Sequence, residues 1–220
     1  DSRLAAKHVE EIAADHVVLA TGAYWRHDGL GRANTKAIHG SGGANVFTPD
    51  DIIAGANPAG PVIVFDDDHY YMGGVIAEEL RGRGLDVVLV TPASEASSWT
   101  HNTLEQGRIQ SRLLKLGIKI ITCQNLVKIH SDHLDLSCVY TGKLTSLSAA
   151  SIVMVTMRLP DEALYKALSD VCNITRIGDA LAPATIAHAV FAGHRYARQL
   201  DEPENDGVSF KRELSQLGEF

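Results

Sequence analysis

The sequence predicts an α/β fold with a largely parallel sheet. Three observations carry that prediction. Apolar β-type runs alternate with helical periodicity along the 220 residues, the order that parallel strands with crossover helices require. The stretch "PVIVFDDDHYYMGGVIAEEL", Pro61 to Leu80, reads as strand, turn and helix, and "LDVVLVT", Leu85 to Thr91, completes a βαβ unit. Near the C-terminus "ITRIGDA" precedes a second strand-to-helix unit, with a helix expected from about Ala182 to Leu200.

The elements follow in order. "HVVLATG", His16 to Gly22, is a buried-strand pattern ended by glycine. "GRANTKAIHGSGGANVF" is rich in Gly, Asn and Ser and reads as a surface loop. "TPDDII" offers a helix start, with Thr48 as N-cap, Pro49 at the first helical position and acids in the first turn. "GANPAGP", Gly55 to Pro61, is a breaker cluster and the expected domain boundary. Strand Val62–Phe65, a helix through about Arg83 and strand Leu85–Thr91 come next. A helix through Leu104, Ile109, Leu113 and Leu116 is expected to end at Gly117. After the strand "IKIIT", "LVKIH" and "HLDLSCVY" suggest a β-meander, "ASIVMVTMRLP" one buried strand, and "DEALYKAL" a helix. A polar tail, "DEPENDG" to "KREL", closes the chain.

Composition excludes several classes. The apolar fraction is 45%, the charged fraction 21% and the net charge −7, so this is an ordinary globular chain with no basic patch for nucleic acid. No apolar run reaches the ~18 residues of a membrane helix, and "DSRLAAKHVEE" lacks the apolar core of a secretory signal. Cys123, Cys138 and Cys172 are odd in number and widely spaced, which fits neither a disulfide framework nor a CxxC metal knuckle. A reducing cytoplasm is the expected setting.

The turn after Val62–Phe65 has the rhythm of a dinucleotide-binding loop but the wrong chemistry. Such loops use glycines to let the backbone approach a pyrophosphate at a helix N-terminus. Here Asp66, Asp67 and Asp68 stand in their place, and only Gly73 or Gly74 matches the last glycine. Three carboxylates would repel a diphosphate by several kcal/mol even at an effective dielectric near ~20. The acid expected at the end of the second strand, for ribose hydroxyls, is also missing, because that strand ends Thr91–Pro92. Consecutive carboxylates can hold Mg²⁺ or Ca²⁺, but neighbours in one tight turn rarely converge on one centre. The acids are expected to cap the following helix instead.

The remaining candidates read as structural. There is no HExxH, GxSxG or P-loop. His130 and His133 straddle a strand turn and are expected to be solvated, "HGSGG" reads as surface loop, and Trp99, Tyr70 and Tyr71 as core. No catalytic residue and no metal ligand is assigned.

Three stretches together carry a resemblance. "VVLATGAYWR", Val17 to Arg26, ends a strand in an Ala-Thr-Gly turn; "RIGDALAPATIAHAVFAGHRYAR", Arg176 to Arg198, is a Gly-Asp strand end with its helix; between them lies the acidic turn with "WTHNTLEQGRIQSRLLKLGI". This ordered set, ending in "KREL", is similar to the C-terminal part of the trimethylamine dehydrogenase family, which includes dimethylamine and histamine dehydrogenases and related N-demethylases, and is related to dienoyl-CoA reductases. The resemblance covers nearly the whole chain. It implies a Rossmann-like fold similar to the FAD/NAD(P)-binding domains of disulfide reductases, with residues 1–54 plus 160–220 as a partial ADP/FAD-type domain and residues 55–159 as an inserted NAD(P)H-like domain. It also implies that Asp1 falls inside a domain, so a fragment of a longer protein is expected.

In that family an N-terminal TIM barrel with covalently bound FMN oxidises the amine. A 4Fe-4S cluster passes electrons towards an electron-transfer flavoprotein, and the second dinucleotide domain is empty. Carried over by motif, Thr21 and Gly22 match the turn that approaches the nucleotide, and Gly178 and Asp179 the closing turn whose acid contacts sugar hydroxyls. The resemblance implies ADP or FAD in the parent but no cofactor held tightly by this chain alone. It implies the upstream barrel and cluster as partners, a homo-oligomer, and a scaffold role without catalysis. Two alternatives stay open: a piece of an NAD(P)H-dependent flavin reductase of the dienoyl-CoA reductase type, and a non-catalytic interaction module that keeps the fold.

Overall fold

Residues 4–200 are described by the structure, a computed structural model; the polar tail and its "KREL" lie outside the described residues. In chain order, α1 (Ala6–Ile12) and β1 (Val17–Leu19) precede β2 (Ala23–Trp25), β3 (Val46–Phe47) and α2 (Pro49–Ile53). The central βαβ unit is β4 (Val62–Asp66), α3 (Met72–Gly82) and β5 (Val87–Val90), followed by α4 (Gln106–Lys115) and β6 (Lys119–Ile121). A meander of β7 (Gln124–Ile129), β8 (His133–Cys138) and β9 (Leu144–Ser148) leads to β10 (Ser151–Val155) and β11 (Arg158–Pro160). The chain then forms α5 (Ala163–Leu168), β12 (Ile174–Arg176) and α6 (Ile186–Gln199).

The chain divides into two units, residues 1–23 with 160–220, and residues 24–159. The inner unit is built on a five-stranded parallel sheet in the order β3-β10-β4-β5-β6. Strand periodicity sorts its side chains between two cores. Val62 and Val64 of β4, with Val153 and Val155 of β10, pack with Ile52, Ile76, Leu80 and Leu113 from helices α2, α3 and α4. Ile63 and Phe65, with Ile152 and Met154, pack with Leu126, Ile129, Leu134 and Leu136 of the meander. Both faces are covered, which is why β4 and β10 read as continuous apolar runs. Each fully buried side chain of this kind contributes about 1.5–3 kcal/mol. The outer unit pairs β1 with β12 in parallel, Val17 opposite Ile174.

Several expectations are refined. Trp25 and Ile52 belong to the core of the five-stranded sheet, and Trp25 N donates to Asp50 Oδ2 at 2.7 Å. Residues 24–54 therefore pack with the inner unit, and the division falls at Ala23/Tyr24 rather than at the breaker cluster Gly55–Pro61. The helix expected through Leu104 begins later. Residues Ser98–Thr103 form a 3₁₀ turn in which Thr100 and Thr103 hydroxyls donate to the carbonyls of Ser97 and Thr100, the local competition typical of Ser and Thr. Leu104 ends that turn at φ 61, and it is exposed. The single strand expected over "ASIVMVTMRLP" breaks in two because the Val155 carbonyl turns to receive Asp67 N and Asp68 N. The short helix α1 has no buried residue, so no apolar stripe announced it. Among the described residues no helix is long and apolar enough to cross a membrane.

Candidate functional site

Strands β4, β10 and β5 end side by side, and the turn residues 66–71 leave β4 at that edge. This is the end of a parallel sheet at which α/β folds bind ligands. The chain turns through His69, whose φ of 64 is left-handed, stabilised as His69 N donates to Asp66 Oδ1 at 2.9 Å.

The three acids point into three different surroundings. Asp66 is fully buried, and its carboxyl lies against the first turn of α3. A Cβ on Gly73 would sit 2.4 Å from Asp66 Cγ, so only glycine leaves room there for the carboxyl group. Asp66 Oδ2 has no hydrogen-bond partner. Burial pushes the Asp66 carboxyl up to about 7, partly opposed by the hydrogen bond from His69 N and by the His69 imidazole.

Asp67 is also fully buried. Its Oδ2 accepts Ala33 N at 2.9 Å, and a Cβ on Gly31 would come within 2.2 Å of that oxygen and 3.2 Å of Thr156 Cβ. Its Oδ1 faces His69 Nε2 at 3.4 Å. Asp68 is held above the usual carboxylate range by burial, against the attraction of Arg158 and Arg32.

Residues 28–34 therefore lie across the strand ends. Arg32 stacks on Trp99, its guanidinium carbon 4.0 Å from the ring centre, a contact worth about 0.5–1 kcal/mol at a partly exposed site. Asn34 and Asn125 exchange side-chain amide hydrogen bonds, both 3.0 Å, and Asn34 Nδ2 also reaches Leu126 O at 3.3 Å. At these strand ends the protein's own backbone at Gly31 and Ala33 lies against the buried Asp67 carboxyl. The residues present do not fit NAD(H).

His69 also meets Thr91, Nδ1 to Oγ1 3.3 Å. The order Asp67–His69–Thr91 has the connectivity of a nucleophile triad. Thr91 is fully buried and its Oγ1 accepts Ala93 N at 3.2 Å, so no substrate carbonyl can approach it. Thr91 thus stands where a ribose-binding acid was sought, and it secures the turn.

The expectation that the acids cap α3 is corrected. The helix begins after Tyr71, with no side-chain cap bond and no acid in its first turn, because Asp66 and Asp67 point into the interior instead. Trp99 is corrected as well: it is half exposed and carries Arg32 rather than joining the core. Tyr71 OH bonds Thr103 Oγ1 at 2.9 Å and also Glu105.

In the outer unit, β1 and β12 run parallel, so the turns after Leu19 and Arg176 lie side by side, and Ile177 N donates to Leu19 O at 3.0 Å. This brings the Thr21–Gly22 turn and the Gly178–Asp179 turn to one end of the pair. Thr21 Oγ1 donates to Asp161 O at 2.9 Å, and Asp161 N returns to Gly22 O at 3.0 Å. Gly22 has φ 83 and open space at its Cβ position, so its backbone conformation is what asks for glycine. Gly178 has φ 57 and opens the 3₁₀ turn Gly178–Ala180, and Asp179 Oδ1 accepts Ala184 N at 3.0 Å. All four therefore hold their own turns.

Comparison with known proteins places this geometry. Residues 47–150 match the family described as the OYE-like second alpha/beta domain. Dimethylamine dehydrogenase of Hyphomicrobium sp. (strain x) is 26% identical across 98% of this chain and 33% of its own length. The structure of histamine dehydrogenase from Rhizobium sp. 4-9 superposes with a TM-score of 0.88 and 42% identity, over 99% of this chain and 35% of that one. Its homologues are thus dimethylamine and histamine dehydrogenases, of the trimethylamine dehydrogenase family. It spans about a third of the length of these relatives. A more distant likeness, to the thioredoxin reductase of T. acidophilum at 14% identity and TM-score 0.57, shows the shared Rossmann-like fold.

The acidic turn is legible in the sequence, but what lies on it is not. In the sequence, Gly31, Arg32, Ala33 and Asn34 carry only the composition of a surface loop. A glycine three residues before an asparagine is too common a loop signature to announce a clamp.

Proposed function

We propose that this region is a scaffold part of an amine-oxidising flavoprotein, in which the inner unit keeps a nicotinamide-type fold without binding NAD(H). The observation that carries the reading is the bond from Ala33 N to the buried Asp67 carboxylate, which lays the loop over the strand ends. Homology to amine dehydrogenases supports the parent's class. On this reading the parent oxidises an amine at an FMN-bearing barrel and passes electrons through a 4Fe-4S cluster to an electron-transfer flavoprotein. None of those steps uses a residue of this chain, and the cytoplasm and a homo-oligomer are its expected setting.

In the outer unit, Gly22 and Gly178 would offer backbone N–H groups, and Asp179 a carboxylate, to the phosphates and sugar hydroxyls of ADP or FAD. ADP bound there would supply no redox chemistry, whereas FAD would add an electron relay. What the residues here contribute is orientation, through parallel strand ends fixed by Thr21 and Asp161.

The test is calorimetric titration of NADH and NADPH into this chain. No saturable heat up to about 1 mM ligand, an affinity weaker than about −4 kcal/mol, is the expected result. Saturable binding in the micromolar range would overturn the proposal and favour a nicotinamide-dependent flavin reductase.

A further inference from the structure

A cluster remote from the strand-end turn has no part in the reading above. Strands β7 and β8 are joined by residues 130–132, a tight turn in which His130 N donates to His133 O at 2.9 Å. On β8, Leu134 and Leu136 point into the core, so strand alternation sends His133 and Asp135 to the opposite face. The turn folds His130 back over them. Its Nε2 lies 2.9 Å from Asp135 Oδ2, and His133 Nε2 lies 3.9 Å from Asp135 Oδ1. The two imidazoles stack with centroids 4.0 Å apart and planes 11° from parallel. Far from solvated, both rings are partly buried and partnered.

We propose that His130, His133 and Asp135 form a binding site for one divalent transition-metal ion of the zinc class. One ligand atom from each residue falls within 4.8 Å of the other two. Bonds of about 2.0–2.2 Å to a shared ion need ligand atoms about 3.3 Å apart with both ring planes aimed at the ion, so binding would turn the two imidazoles out of their stack.

The surroundings are those of a ligand set. His133 Nδ1 bonds Asp132 Oδ1 at 2.7 Å, the carboxylate–histidine pairing that fixes the proton on Nδ1 and leaves the Nε2 lone pair for a metal. An ion entering between His130 Nε2 and Asp135 replaces the proton that now joins them, and that proton leaves to solvent. The backbone beneath is fixed: Asn45 Nδ2 donates to His130 O at 3.0 Å, and Ile129 N to His39 O at 2.9 Å. A groove lined by Gly40, Gly42, Gly43 and Asn45 runs beside His130 and Ser131, giving water and the ion an approach.

Two imidazoles with one carboxylate favour Zn²⁺, Ni²⁺ or Cu²⁺ and disfavour Mg²⁺ and Ca²⁺, which take oxygen shells. The fourth position falls to water. The ion would cross-link the β7–β8 turn.

The test uses the untagged chain, stripped with chelator and titrated with ZnCl₂ by calorimetry, with MgCl₂ as a control. One equivalent of Zn²⁺ is expected. His130→Ala and His133→Ala should each weaken it at least tenfold, and Asp132→Asn by about tenfold to a hundredfold through the outer partner. Because the chain has ten histidines, the double variant His130→Ala/His133→Ala identifies the site. Should the alanine variants fail to fold by circular dichroism, His130→Gln and His133→Gln replace them, and zinc-induced shifts of the His130 and His133 ring resonances in the unaltered chain report directly. No saturable equivalent up to about 1 mM Zn²⁺, or an equivalent that survives the double variant at unchanged affinity, overturns the proposal and leaves an ion-paired turn.

Discussion

The buried carboxylate of Asp67 accepts the backbone N–H of Ala33 at 2.9 Å, across 34 residues of sequence. An acid that reads as a repeller of phosphate acts in the fold as the anchor of a loop. Asp67→Ala leaves Ala33 N without that acceptor and is expected to cost about 1–3 kcal/mol. Asp67→Asn, which keeps a carbonyl oxygen, should cost less. Hydrogen exchange should quicken at residues 31–34 in the alanine variant, and unchanged exchange there would show that the loop is held by other contacts.

Gly73 and Gly74 should respond differently to the same added methyl group. On Gly73 the Cβ would meet the fully buried Asp66 carboxyl at 2.4 Å, whereas on Gly74 the nearest atom is Ile109 Cγ2 at 3.4 Å. Gly73→Ala is expected to destabilise by about 1–3 kcal/mol through overpacking. Gly74→Ala should be near neutral, because helix propensity favours alanine over glycine by up to about 1 kcal/mol. Urea melts of the two variants decide it, and equal losses would count against the special role of Gly73.

Asp66 makes stability fall as pH rises. Its folded carboxyl titrates at about 7, above the ordinary 3.8. The folded state therefore holds a proton that the unfolded chain releases. The contribution is fully present below about pH 4, declines from there through about pH 7, and is lost above it. Asp66→Asn removes the titration, so its melting temperature should match the parent's near pH 4 and exceed it increasingly towards pH 8. Parallel pH dependence in parent and variant would exclude Asp66 as the source.

Thr48 tests where the inner unit begins. It caps α2, with Thr48 N donating to Asp51 Oδ2 at 2.7 Å and Asp51 N returning to Thr48 Oγ1 at 3.4 Å. Thr48→Ala should cost about 1 kcal/mol. If residues 24–54 pack with the five-stranded sheet, the loss appears in the transition of the fragment 24–159, followed by circular dichroism. A fragment 55–159 equally stable without them would contradict the division drawn from packing.

The α/β class, the central βαβ unit, the cap at Thr48 and the meander were legible because each rests on local pattern: apolar runs, a Thr-Pro-Asp-Asp start, alternation at Leu134 and Leu136. What escaped was long-range. Nothing near Ala33 says that its N–H meets Asp67, and nothing in "VCNITRI" names β1 as its partner. The same holds for Asn34 with Asn125. The acids of the turn misled for a related reason: helix N-termini attract carboxylates, and only the burial of Asp66 and Asp67 decides that they point elsewhere.

The pairing of Val17 with Ile174 has a consequence for how the protein forms. These two strands come from opposite ends of the chain, so their meeting requires closure of a very long loop, whose entropic cost is high until something shortens it. Folding of the contiguous stretch 24–159 on its own contacts would supply that shortening. On a ribosome, the inner unit would be complete while the strand that finishes the outer one was still being made.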